Sequence, residues 1–256
     1  MSARTLSGSV ALVTGATSGM GWATAEVLAA AGADVLAVGR REDRLHDLAD
    51  RVAATGAPGK VVGFAADLSA PGVPARVVTE VVGRFGRLDV VVNAAGVMYS
   101  GPTLDALDEE WQSMIDLNFS ALAHLSRAAM PHLVEAAATG GRGVADLVNI
   151  SSLSGRIATA ENAVYAATKF AVTGFTDGLR KEFSPKNVRV SVLEPALTRT
   201  EIFGHQREAG RTYFEKIREG IEILEPLDVA EVVEFLVTRP RRVGLNEIVM
   251  RSIEQV

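Results

Sequence analysis

Seven short apolar runs, spaced by segments of helical length, constrain this chain more than any other feature of its sequence. They fall at residues 10–13, 35–38, 61–65, 88–92, 144–150, 188–193 and 247–250, and most are rich in β-branched side chains. Continuous apolar runs of this length suit strands buried on both faces, as in a parallel sheet. Between them, segments of mixed polarity at 22–31, 43–54, 74–85, 108–138, 162–183 and 227–238 carry helical patterning. Strict β-α alternation predicts a doubly wound, Rossmann-type α/β sheet with helices on both faces and right-handed crossovers. No linker divides the 256 residues, so one Rossmann-type domain over 1–256 is expected. The stretch 198–224 breaks the alternation, with many charges and no strand signal, and is expected to form a substrate-binding flap.

Composition excludes several functions. A net charge of −5, with basic residues scattered apart from Arg40-Arg41 and residues 239–242, offers nucleic acid no basic stripe. The lack of cysteine removes disulfides, thiolate metal ligands and a thiol nucleophile, and suits the reducing cytoplasm. No metal site is expected. The first residues show neither signal-peptide pattern nor membrane-length apolar run, so the chain reads as soluble and cytoplasmic, with no membrane partner.

Chemistry begins directly after the first strand, where Thr14-Gly15-Ala16-Thr17-Ser18-Gly19-Met20-Gly21 leads into an alanine-rich helix. Glycines there let backbone approach a pyrophosphate, while the helix N-terminus presents free N–H groups and partial positive charge. The spacing is Gly-x3-Gly-x-Gly, so the strand before and the helix after carry the inference. The second strand ends in Gly39-Arg40-Arg41, where a cofactor with a free ribose diol would meet an acid. A guanidinium pairs instead with a 2′-phosphate, which points to NADP(H) rather than NAD(H).

Further along, Tyr165 and Lys169 stand four residues apart in a predicted helix and so share a face. Three tyrosines and five lysines make such a pair by chance roughly 0.06 times in this length, which favours function over coincidence. A free phenol titrates near ~10, and Lys169 together with a cationic nicotinamide is expected to lower that value and make Tyr165 a usable acid or base. Ser152, at the end of the fifth strand, is placed to hold a substrate oxygen, with Ser151 and Ser154 as rivals. None of the four histidines stands in a motif suggesting a triad, which argues against a serine hydrolase.

Position unites these signals. Gly15, Arg40, Asp67, Asn93, Ser152 and the Glu194-Pro195-Ala196 stretch each follow one of six successive predicted strands. Ligands of open α/β sheets bind beyond those carboxyl ends, so one crevice would collect all six.

With these residues in that order and spacing, the chain resembles the short-chain dehydrogenase/reductase family over residues 8–250. The resemblance implies seven parallel strands in the order 3-2-1-4-5-6-7. It also implies catalytic roles: Ser152 positions the carbonyl, Tyr165 transfers the proton, Lys169 also holds the nicotinamide ribose, and Asn118 anchors a relay water. The cofactor-binding set it implies is Gly15, Thr17, Ser18, Gly19, Met20, Gly21, Arg40, Arg41, Asp67, Leu68, Asn93, Ala94, Gly96, Tyr165, Lys169, Pro195, Thr198 and Thr200. Pocket walls for the substrate are expected from Met98, Ser152, Ser154, Tyr165 and Leu197.

Two departures stand out: Ala196 replaces the usual glycine after Pro195, and Asn93-Ala94-Ala95-Gly96 has one asparagine where two are common. Gly39-Arg40-Arg41 and the tail 246–252 look like a bacterial subgroup of NADP-dependent serine or 3-hydroxy acid dehydrogenases and clavulanate-type reductases. The implied function is NADP(H)-dependent interconversion of a small alcohol and its carbonyl compound, a 3-hydroxy acid, aldehyde or ketone, by a homodimer or homotetramer. The alternatives are a catalytically idle dinucleotide-binding regulator and a 3-oxoacyl-carrier reductase.

Overall fold

In a computed structural model, residues 5–206 and 220–255 are described. Each apolar run becomes a strand: β1 (Val10–Thr14), β2 (Asp34–Gly39), β3 (Val61–Ala65), β4 (Val90–Asn93), β5 (Ala145–Ile150), β6 (Val188–Pro195) and β7 (Glu247–Met250). All seven pair in parallel in one sheet of order β3-β2-β1-β4-β5-β6-β7. That is the expected doubly wound sheet.

Side-chain alternation explains why the strands had to be apolar throughout. In β1, Ala11 and Val13 pack under α1 (Gly19–Ala30), α2 (Glu42–Ala54) and the helix Pro226–Val237, named α7 here. Val10 and Leu12 face the opposite layer, formed by α3 (Val73–Phe85), α5 (Leu122–Thr139) and α6 (Ala163–Phe183). Two cores therefore share one sheet, and a polar residue on either face of a central strand would be buried.

Helix ends follow local chemistry. Glu42 and Asp43 open α2 and Arg51 closes it, each complementing the helix dipole. Gly86 ends α3 in the left-handed region at φ 77°, which glycine tolerates without strain. Pro226 at the first turn of α7 stands where the missing N–H costs nothing.

Two elements differ from the sequence reading. The helix expected from 22 starts at Gly19, inside the glycine motif, because the glycines supply its first turn. The single helix expected over 108–138 is α4 (Asp108–Met114), a wide π-helical segment Ile115–Ala121, and α5. Periodicity does not reveal that widening, whose cause is the buried side chain of Asn118. The expected flap 198–224 lies partly outside the described residues; its visible start is a short 3₁₀ turn, Glu201–His205. Among the described residues no helix is long and apolar enough to cross a membrane.

Candidate active site

Two cavities open along the carboxyl edge of the sheet. One, of about 250 Å³, runs over β1, β2 and β4 and is lined by Gly15, Thr17, Ser18, Gly19, Met20, Gly21, Arg40, Arg41, Asp67, Leu68, Ala94, Gly96 and Thr200 among others. The other, of about 200 Å³, lies over β5 and β6 and is walled by Met98, Ser152, Ser154, Tyr165, Pro195, Leu197, Thr198 and Thr200. Met20, Thr200 and Ile202 line both, so the cavities adjoin.

The first cavity depends on close backbone packing. Gly15 has φ +68°, and a Cβ there would lie 2.7 Å from the Ala94 carbonyl oxygen. Thr14 Oγ1 accepts from the N–H groups of Ala94 (3.1 Å) and Ala95 (3.2 Å), which clamps the turn after β4 against the loop after β1. Helix α1 starts behind this loop with no side-chain cap, leaving its first amides unpaired within the helix. Those amides, together with Arg40 and Arg41 at the far end, fit a dinucleotide bearing a pyrophosphate and a second phosphate.

Asp67 does not sit free at its end of the cleft. The Ser69 hydroxyl donates to its Oδ1 at 2.6 Å and the Ser69 N–H at 3.0 Å; these bonds and nearby Arg40 hold its carboxyl below the ordinary range. Asn93, expected beside the cofactor, ends β4. Its side chain lines neither cavity but donates to Asn149 Oδ1 (2.8 Å) and Ser126 Oγ (3.1 Å), tying β4 to β5 and α5.

Tyr165 and Ser152 both line the second cavity, and the Ser152 hydroxyl acts on the Tyr165 phenol. The rival Ser151 is buried and donates to the Lys169 carbonyl at 3.0 Å, so it braces α6 against β5. Ser154 donates its N–H to Ser152 Oγ at 3.1 Å and holds that hydroxyl in place.

Lys169 lies behind Tyr165, its ammonium 5.7 Å from the ring centroid and 3.0 Å from the Ile150 carbonyl oxygen. It lines neither cavity, and is reached past Gly96, where a Cβ would stand 3.8 Å from Lys169 Nζ and 3.2 Å from Asn118 Oδ1. Asn118 is engaged as well: Oδ1 accepts from the Val97 N–H (2.8 Å), and Nδ2 donates to the Val97 carbonyl (2.9 Å) and to Thr168 Oγ1 (3.2 Å). A side chain reaching both backbone groups of Val97 from mid-helix accounts for the widened turn around it.

The expected lowering of the phenol pKa includes the charge of a bound nicotinamide; in the protein alone the phenol is shifted the other way. Burial pushes Tyr165 up to about 12, against the opposing pull of its bond to Ser152, and pushes Lys169 down to about 8. Desolvation penalises both charged forms and outweighs the ammonium one turn away. Tyr165 is thus held as a neutral proton donor, whereas Lys169 carries its charge below about pH 8 and loses it above. In the carbonyl-reducing direction kcat should fall as pH rises through that value. Lys169→Arg, whose guanidinium stays charged throughout, should lower kcat but lose this alkaline limb; a limb that survives in the arginine variant would assign it to another group.

Several residues at the site have partners that nothing in the sequence signalled. Glu194, fully buried at the end of β6, accepts from Arg156 and from Thr173 Oγ1 (3.0 Å), and Arg156 also donates to Glu247 at 2.6 Å. This network ties the loop carrying Ser152 to the strand ending at Pro195. Gln255, in the tail, accepts from the Leu197 N–H at 3.1 Å and lines the second cavity. Glu201 faces Arg41 across the first. Only folding makes these residues neighbours.

A phenol and a serine hydroxyl in one cavity, beside a buried lysine and next to a dinucleotide-type cleft, define an oxidoreductase of the Rossmann class. Residues 9–210 match the short chain dehydrogenase family, to which the chain belongs. An uncharacterized oxidoreductase of Staphylococcus aureus strain MRSA252 is 34% identical over 248 residues, 97% of this chain and 99% of that protein. Among solved structures, the closed form of a serine dehydrogenase complexed with NADP+ superposes with TM-score 0.83 at 30% identity, covering 96% of each chain. A 3-ketoacyl-(acyl-carrier-protein) reductase from Brucella melitensis complexed with NADH does so with TM-score 0.84 at 27% identity, covering 98% of this chain and all of the other.

Proposed function

We propose that this enzyme interconverts a neutral, largely apolar alcohol and its aldehyde or ketone, with NADP(H) as hydride partner. One observation carries the reading: Tyr165 and Ser152 line one cavity, with Lys169 behind the phenol, and that cavity adjoins the dinucleotide-type cleft through Met20, Thr200 and Ile202. A nicotinamide dinucleotide, held by the loop 15–21, Arg40, Asp67 and the stretch Pro195 to Thr200, supplies or accepts the hydride. Ser152 and Tyr165 orient the carbonyl oxygen by hydrogen bonds, and Tyr165 donates its proton to that oxygen as negative charge develops. Lys169, positively charged below about pH 8, favours the tyrosinate left behind. Asn118 Oδ1 keeps one lone pair for a water on the relay that returns a proton to this pair.

Cofactor choice rests on Arg40, which is exposed and makes no hydrogen bond among the described residues, so it is free to meet a 2′-phosphate. Related enzymes are known with either dinucleotide, and Arg40 is the feature of this chain that favours the phosphorylated one. Substrate choice rests on the second cavity. Met20, Met98, Leu153, Ile157, Leu197 and Phe203 dominate its wall, and no charged side chain among the described residues lines it. Among the described residues such a wall gives a substrate carboxylate no cationic partner, and burying it there would be costly. The 3-hydroxy acid and carrier-linked readings are therefore less favoured.

A panel of aldehydes, ketones and 3-hydroxy acids, followed at the nicotinamide absorbance with NADPH and NADH in parallel, tests both points. Neutral carbonyl compounds with NADPH should give kcat/KM at least about tenfold above acidic analogues, the step of 1.4 kcal/mol that one unpaired buried charge readily exceeds. Preference for acids would sink the substrate reading, and preference for NADH the role given to Arg40. The part-exposed Ile115 and Phe170, beside Asn118 and Tyr165, support self-association into a dimer or tetramer, and the cysteine-free composition suits the cytoplasm.

A further inference from the structure

We infer that Glu201 competes with the cofactor's 2′-phosphate for Arg41, and so sets how far the enzyme discriminates between NADP(H) and NAD(H). The inference rests on the NADP(H) reading above. Arg41 has little left to offer a ligand. Its Nε donates to Thr17 Oγ1 at 3.3 Å, and Nη2 donates to the Thr17 carbonyl at 3.1 Å and to Oγ1 at 3.2 Å. The remaining nitrogen, Nη1, donates to Glu201 Oε2 at 2.8 Å, from a residue 160 positions further along the chain.

The carboxylate of Glu201 thus occupies donors that a phosphate would use. Arg41 first, and then the Ser18 hydroxyl, hold its carboxyl below the ordinary range, so it stays anionic through neutral pH. Ser18 and Thr17 belong to the loop that faces the pyrophosphate, and Glu201, Arg40 and Arg41 line the same cavity. A bound anion of charge −1 therefore sits at the 2′-phosphate end of the cleft before any ligand arrives.

A phosphate brings about −1.5 to −2 charge and three acceptor oxygens, and can take the guanidinium from a carboxylate. It must break the Arg41–Glu201 pair to do so, whereas a cofactor without that phosphate leaves the pair intact. The two side chains are 41% and 46% exposed, so the exchange happens at the solvent face and is small in energy. Glu201 thereby weakens NADPH binding selectively, and its turn also carries Ile202 and Phe203 into the substrate cavity.

The test is equilibrium binding of NADPH and NADH, by nicotinamide fluorescence or calorimetry, with no turnover required. In Glu201→Gln the ratio of the NADH to the NADPH dissociation constant should rise about three- to fivefold, the size of an exposed ion pair. Using the ratio cancels only a gain common to both cofactors, and an Arg41→Met background separates competition for Arg41 from direct repulsion of the 2′-phosphate by the carboxylate. Glu201→Ala should give the same rise without the amide. In an Arg41→Met background the ratio should be lower than in wild type, and adding Glu201→Gln should raise it by clearly less than it does in the wild-type background. An unchanged ratio in both single Glu201 variants, or an undiminished rise in the Arg41→Met background, overturns the competition. A wild-type ratio near one would instead overturn the NADP(H) reading itself, and with it the role of Glu201.

Discussion

Tyr165→Phe is expected to lower kcat for carbonyl reduction by about 10²- to 10⁴-fold, the range typical of a positioned general acid. NADPH affinity should change little, because the ring still packs with Val97, Met98 and Met114 in a small apolar cluster beside the cleft. The substitution removes one hydroxyl bonded to Ser152 and leaves that serine near solvent, so folding should survive. The measurement is steady-state turnover beside NADPH titration by fluorescence. A phenylalanine variant with wild-type turnover would remove the proton-transfer role altogether. Ser152 alone would then have to stabilise the oxygen, and it has no base beside it.

The second large effect belongs to Asn118. Asn118→Ala deletes three buried hydrogen bonds and leaves the Val97 N–H and carbonyl without these partners. Each unsatisfied buried group costs about 1–3 kcal/mol, so a loss of ~3 kcal/mol is expected. For a chain of this size that is a drop in Tm of roughly 6–12 °C. Thr168, which shares the network, precedes Lys169 on α6, so turnover should also fall well below the new melting temperature, mainly in kcat. Thermal unfolding and kinetics at low temperature separate the two effects. A Tm within about 2 °C of wild type would show that Val97 finds other partners.

Much of the fold was legible because parallel strands buried on both faces need continuous apolar runs, and those runs are local in sequence. The loop 15–21 was legible for a similar reason: tight turn, close approach and helix start are all contiguous requirements. Tyr165 and Lys169 were visible through helical spacing. The partners of Asn93 were not legible, because a strand-end asparagine looks the same whether its side chain faces a ligand or, as here, a buried serine and asparagine. The upward shift of the phenol in the protein alone was not legible, because spacing reveals a neighbouring charge but not the burial that opposes it. The π-helical segment was invisible because its cause, the reach of Asn118 to Val97, spans 21 residues.

The sequence by itself determined the order of elements, the sheet they build, and the edge of that sheet where chemistry gathers. Those follow from periodicity, propensity and turn chemistry, each a property of neighbouring residues. Tertiary structure alone decided which side chains share an environment. It brought Glu201 to Arg41, Gln255 to Leu197 and Arg156 to Glu194. It also withdrew Tyr165 and Lys169 from water far enough to shift both their titrations. Desolvation and long-range pairing depend on distances through space, which no local pattern of residues encodes.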